Sequence, residues 1–345
     1  MALGKPPRVR GLIIDLLVKK GKDGIYQKDL QGLLGISKSY CSEQLAHLSE
    51  VDRVIARRKE GGLVKVYHLD FYPGLISGVL RVGMLKSSEY APAIAVFEGV
   101  LAKAGFKILY RFYDGTRELF QDFNKNTLEL MLAPTQAVIM SGMVEENLLI
   151  LTGLASGGSG IISQKAGKAA ILSTELSSMI SLASETMLEK LPKDMESYDN
   201  PNSALLDFKA GKCNMIAIWE PYFSLLLEIP GNNVAFHYRD AFGDFPCCSA
   251  AVNLNCFSVN RKNIETWVSV YTQLKNLVET NSFRIREAAE RVAQATGIGL
   301  DVVEKSLLNY NFSNNRISLE KLKKMGINLS SRQSERLFFP GVLTH

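Results

Sequence analysis

The chain has 345 residues, too many for a single small module, and 46% of them are hydrophobic, enough for a sizeable buried core. No apolar run approaches the about eighteen residues of a membrane span. The apolar stretch near the N-terminus is broken by Asp15 and no small-residue cleavage site follows it, so neither a membrane partner nor a secretory leader is expected. The formal net charge is +5, and its distribution is uneven: residues 1–70 hold 13 Lys/Arg against 8 Asp/Glu, while the remainder holds 27 of each. The basic excess therefore falls in the first fifth of the chain, which predicts a nucleic-acid-facing segment joined to an electrically neutral one. Five cysteines without regular spacing do not make a disulfide framework, which fits a cytoplasmic protein. With no CxxC pair, and with His47, His68, His237 and His345 scattered, no metal site is expected.

In chain order, Val9 to Lys19 reads as an amphipathic helix with Ile13, Ile14, Leu16 and Leu17 inward, ended by Gly21 and Gly24. Gln27 to Leu34 is a second helix, Gly35 a tight turn, and Ser37 an N-cap for a third helix from Lys38 to Leu48. This helix-turn-helix spacing places the third helix in the major groove of duplex DNA. Ser37, Lys38, Ser39, Tyr40, Ser42, Gln44 and His47, with Glu43, supply short polar or amide groups suited to groove contacts. Two alternating strands, Val54 to Arg58 and Leu63 to Leu69, flank Gly61-Gly62, a hairpin whose Arg57, Arg58, Lys59 and Lys65 suit phosphate contacts. The stretch ISKSYCSEQLAHLSEVDRVIARRKEGGLVKVYHL resembles the winged-helix domains of MarR-like and ArsR-like regulators, which usually carry Gly where this chain has Asp52. A DNA-binding domain over residues 1–70 and a linker over 71–79 are expected.

From Leu80 the pattern alternates strand and helix. Strands are expected at Leu80–Met84, Phe106–Phe112, Leu128–Ala133 and Asn147–Leu154, with helices at Pro92–Ala104, Arg117–Phe123 and Thr135–Gly142. This rhythm predicts a doubly wound parallel sheet whose ligands bind beyond the carboxyl ends of the strands. Ser87, Ser88, Tyr90, Tyr113 and Thr135 stand at those ends. The pattern restarts at Lys168–Leu172, where Ser173, Thr174, Ser177 and Ser178 would open a helix suited to an anion. A further strand, Met215–Ile218, runs into Trp219, Glu220, Pro221 and Tyr222.

Three stretches, RVGMLKSSEYAPAIAVFEGVLAKAGFKILYRFYDG, LELMLAPTQAVIMSG and SALLDFKAGKCNMIAIWEPYF, resemble the NMT1/THI5-like and SsuA-like type 2 periplasmic-binding fold, although Asn214-Met215 replaces its usual Asp-Ala. The resemblance implies a multidomain α/β chain: a two-lobe ligand domain over residues 80–345 with its second lobe at about 163–244 and a return through Cys248 to Val259. It implies a small polar metabolite between the lobes, with Trp219, Glu220 and Tyr222 joining the strand-end residues around it. GLASGGSG at 153–160 matches neither a Walker nor a dinucleotide fingerprint and reads as a flexible inter-lobe turn. PCCSAAVNLNC only loosely matches the cysteine-rich cluster of fungal pyrimidine synthases of this fold, so Cys247 and Cys248 read as small buried residues, with ligand or redox sensing the open alternative. The combined expectation is a homodimeric transcription regulator with no catalytic residues and no cofactor, binding duplex DNA and a small-molecule effector. An enzyme of pyrimidine or thiamine-precursor metabolism with an appended helical domain is the alternative.

Overall fold

A computed structural model describes residues 6–173, 194–198, 200–274 and 283–344. The chain divides into two compact units, one of Met1–Ser77 with Asn124–Thr127, the other of Gly78–Phe123 with Leu128–His345. Residues 71–77, expected as linker, thus belong to the first unit.

The first unit holds helices α1 (Pro6–Lys20), α2 (Gln27–Leu34) and α3 (Lys38–Glu50) and strands β1 (Ile25–Tyr26), β2 (Ile55–Glu60) and β3 (Leu63–His68). The strands form an antiparallel sheet in the order β1-β3-β2. Gly35 ends α2 in the left-handed region at φ 61, and its N–H closes back on Gln31 and Gly32, so a side chain there would be strained. Ser37 caps α3 by accepting from the Tyr40 N–H at 3.3 Å. Val9, Ile13 and Leu17 of α1 pack with Leu30, Cys41, Leu45, Leu48, Ile55 and Val66 into one core. β1 is too short to carry an alternation, which is why the sequence pattern does not reveal it.

The second unit is built on two sheets. The first is ordered β5 (Lys107–Tyr113), β4 (Val79–Leu85), β6 (Leu130–Pro134), β14 (Cys248–Asn253), β7 (Leu148–Gly153). The other runs β11 (Met195–Ser197), β10 (Lys168–Ser173), β12 (Cys213–Trp219), β9 (Ser159–Ser163), β13 (Asn233–His237). The expectation of an all-parallel sheet fails at β14, which runs antiparallel to both β6 and β7. It arrives from the other lobe, not through a strand-helix-strand crossover, so the rule that makes such pairs parallel does not apply. The return strand ends at Asn253, whose side chain caps the helix of residues 254–272, so Leu254 to Val259 is helical. The helix expected over Pro92–Ala104 is α-helical only from Ala91 to Val96 and continues as a wider π-turn through Ala102.

Two segments join the lobes: residues 154–158, which include β8 (Ser156–Gly157), and residues 243–247. The glycine-rich first segment is tied down, since β8 pairs with β15 (Tyr310–Asn311) and Gly158 N–H donates to the Asn309 carbonyl at 3.1 Å. Gly158 sits at φ 67 against the Tyr310 ring, where an added methyl would collide. We expect Gly158→Ala to cost roughly 1–3 kcal/mol in urea unfolding, from overpacking and a strained backbone together.

Candidate functional site

On the first unit, Lys38 and Ser39 are exposed on the first turn of α3, behind the Ser37 cap. Tyr40 is half-buried against the core, and Ser42 accepts from the Gln27 side chain at 2.8 Å. Gln44 does not face outward. It is 4% exposed and falls on the inward stripe Cys41, Gln44, Leu45, Leu48, the i, i+3, i+4, i+7 face of the helix. His47 is already engaged: its Nε2 lies 2.7 Å from Arg10 Nη1 and its Nδ1 lies 3.1 Å from Asp52 Oδ2. Asp52, the departure from the winged-helix pattern, therefore anchors the end of α3, and the left-handed backbone falls one residue later, at Arg53 with φ 50. Arg57, Arg58 and Lys59 are exposed along β2. Arg57 pairs loosely with Glu50 at 3.6 Å, Arg58 and Lys65 with Glu60 at 3.8 and 3.7 Å. Lys65 also lies over the Tyr26 ring at 5.1 Å.

On the second unit, five of the hydroxyls expected to meet a ligand are bonded within the protein, whereas the buried Tyr222 hydroxyl has no hydrogen-bond partner. Ser87 Oγ lies 3.2 Å from Tyr310 Oη, and Ser306 donates to Ser88 at 2.8 Å. Tyr90 donates to Cys248 Sγ at 3.3 Å, and Thr135 donates to the Pro246 carbonyl at 2.9 Å. Tyr113 turns away to Asp122 on the neighbouring helix (Thr116–Asn124), donating at 2.8 Å. Ser173 is buried at the end of β10, and Thr174, with Ser177 and Ser178, lies outside the described residues.

The segment after β12 acts as a latch between lobes. Trp219 Nε1 donates to the Lys86 carbonyl at 2.9 Å, and the Ser88 N–H donates to the Glu220 carbonyl at 3.3 Å. Both acceptor and donor in the 86–88 loop follow β4 of the opposite lobe. Glu220 is fully buried and accepts from Ser224 N and Oγ at 2.9 and 2.8 Å and from Asn309 Nδ2 at 2.6 Å. Burial nevertheless holds its carboxyl above the usual range. Tyr222 is buried edge-on to Trp219, with ring centroids 6.1 Å apart.

With the latch shut, a cavity of about 50 Å³ remains beside the joining segments, lined by Gln136, Ser159, Tyr238, Arg239, Phe245 and Cys247 among others. That is room for a few water molecules. The Tyr238 hydroxyl is buried without a hydrogen-bond partner. Next to this cavity stands Glu89, 2% exposed, in the loop after β4. Its Oε1 accepts from the Ala155 N–H at 3.1 Å and its Oε2 from the Cys247 thiol at 3.1 Å, so one carboxyl touches both joining segments. Burial pushes Glu89 up to about 7 and Cys248 up to about 11. Cys247 is raised too, chiefly by its hydrogen bond with Cys248 and then by burial. Cys256, the third cysteine of the PCCSAAVNLNC stretch, sits elsewhere, hydrogen-bonded by Asn260, so that stretch assembles no cysteine-rich cluster. Glu89 stands with Ser87, Ser88 and Tyr90 at a strand end in the sequence but has no role assignable there, because its partners lie far along the chain; the adjacent Cys247-Cys248 pair is the one signal for it.

A fold of two α/β lobes joined by crossing segments over a cleft is periplasmic-binding-protein-like. Three solved structures are similar to this chain in that fold. The alkanesulfonate-binding protein SsuA from Xanthomonas axonopodis pv. citri, bound to MOPS, is 17% identical over 73% of this chain and 91% of its own, with a TM-score of 0.58. The aliphatic sulphonate binding protein SsuA from Escherichia coli is 16% identical over 72% and 90%, with a TM-score of 0.57. The nitrate-binding protein NrtA from Synechocystis PCC 6803 is 15% identical over 69% and 72%, with a TM-score of 0.53. No protein-family model matches the chain, and no curated protein matches it. Among the described residues, no helix is long and apolar enough to cross a membrane.

Proposed function

We propose that the chain is a ligand-responsive, non-enzymatic transcription regulator, in which the first unit is a winged helix-turn-helix that binds duplex DNA. The second unit holds a small polar metabolite between its lobes, and the protein works as a dimer in the cytoplasm. The observation that carries the DNA reading is the joint exposure of Lys38 and Ser39 on the capped first turn of α3 and of Arg57, Arg58 and Lys59 on the adjoining hairpin. These lie in the segment that holds the chain's basic excess. Ligand binding is supported by the fold shared with sulfonate- and nitrate-binding proteins.

Selection from random duplexes, followed by fluorescence anisotropy at several salt concentrations, tests the DNA role. Arg58→Ala and Lys59→Ala should each reduce the slope of log K against log salt by roughly one and weaken binding on all sequences alike. Ser39→Ala should instead relax base preference at one position. Failure to enrich any sequence, with salt slopes unchanged in both wing variants, would sink the reading. Thermal-shift screening with sulfonates, nitrate and pyrimidines tests the cleft, and the absence of any shift would count against a metabolite there.

A further inference from the structure

We propose that Glu89, Cys247 and Cys248 form a site for a soft divalent cation, with one coordination position open to the cavity between the lobes. The inference is independent of the DNA- and metabolite-binding reading. One oxygen of Glu89 and the two sulfurs all lie within 4.8 Å of one another. Around a tetrahedral ion with bonds of about 2.0–2.3 Å, neighbouring ligand atoms stand somewhat under about 4 Å apart, so the site closes with small side-chain shifts. Among the described residues, no other three His, Cys, Asp or Glu side chains come together in this way.

The surroundings suit such an ion. Glu89 and Cys248 are buried, whereas Cys247 is partly exposed and lines the cavity, which supplies both an entry path and the open position. The Ala155 N–H holds Glu89 Oε1, leaving Oε2 to face the thiols, and the Tyr90 hydroxyl donates to Cys248 Sγ, a bond that strengthens on a thiolate. A carboxyl buried among thiols has no compensating charge from them, and a cation would provide it. On binding, the thiol protons leave to solvent and the sulfurs bind as thiolates. Two thiolates and one carboxylate favour zinc-like ions over magnesium or calcium.

Cobalt(II) titrated into the reduced full chain is the test. We expect one equivalent to bind with a sulfur-to-cobalt charge-transfer band and the intense visible bands of tetrahedral cobalt, all displaced by zinc. Cys247→Ser and Cys248→Ser should abolish or greatly weaken the band. Glu89→Gln should keep charge-transfer intensity but lower affinity, because a neutral amide replaces a charged ligand oxygen. Cys41→Ser and Cys256→Ser should behave as wild type. If a site variant fails to fold, zinc protection of Cys247 against alkylation in the unsubstituted chain decides instead. The proposal is overturned if no band forms, if it survives both cysteine substitutions in folded protein, or if zinc gives Cys247 no protection.

Discussion

Glu129→Ala is expected to destabilise the second unit by about 3–5 kcal/mol, lowering its melting temperature on the order of 10 °C. Arg81 on β4 and Glu129, just before β6, are each 1% exposed. Glu129 accepts from the Arg81 backbone N–H at 2.7 Å, from Nε at 3.0 Å and from Nη2 at 2.5 Å. Removing the carboxylate takes away the charge and the acceptor that face a buried guanidinium and a buried amide. The paired change Arg81→Met with Glu129→Leu removes both charges and should recover most of the loss, because desolvation of the pair offsets much of its attraction. Urea unfolding of the single and double variants checks both statements, and a double variant as unstable as Glu129→Ala would refute the electrostatic account.

Glu89→Gln is expected to act in the opposite direction in metal-free protein. The folded chain raises this carboxyl from an ordinary 4.5 to about 7, so between those values the folded state holds a proton that the unfolded state has lost. The stability this contributes is full below about pH 4.5 and disappears as pH rises through about 7, a change of roughly 3 kcal/mol. Replacing Glu89 with Gln removes that slope. The variant should match the unsubstituted chain near pH 4 and exceed it by up to roughly 3 kcal/mol at pH 8, as measured by denaturation across pH with a chelator present. Equal stabilities at both pH values would show that Glu89 is not held neutral by burial.

The local elements were readable because local rules govern them. Gln27–Leu34 was expected and found with the same bounds, since Gly35 forces its end and Ser37 opens the next helix. The strands at residues 80–84 and 106–112 were placed to within a residue or two of β4 and β5 by their apolar runs. The two-lobe layout came from resemblance, because strand order depends on pairings such as β14 with β6 that no local pattern encodes. Site residues were harder. Gln44 looked like a base-reading amide, but its position in the helical period turns it inward. Ser87, Ser88 and Thr135 were correctly placed at strand ends, yet their hydroxyls found partners on distant segments, which no spacing rule could supply.

The latch made by Trp219 and Glu220 uses main-chain atoms on the opposite lobe, so its strength depends little on which side chains stand at 86 and 88. For any occupant of the cleft, the apparent dissociation constant is the intrinsic one divided by the fraction of molecules that are open. A latch that leaves roughly one molecule in a hundred open raises the concentration needed for half-occupancy about a hundredfold. On the proposed reading Trp219 raises the concentration needed for half-occupancy, and Trp219→Phe, which stays aromatic but loses the indole N–H, should lower it.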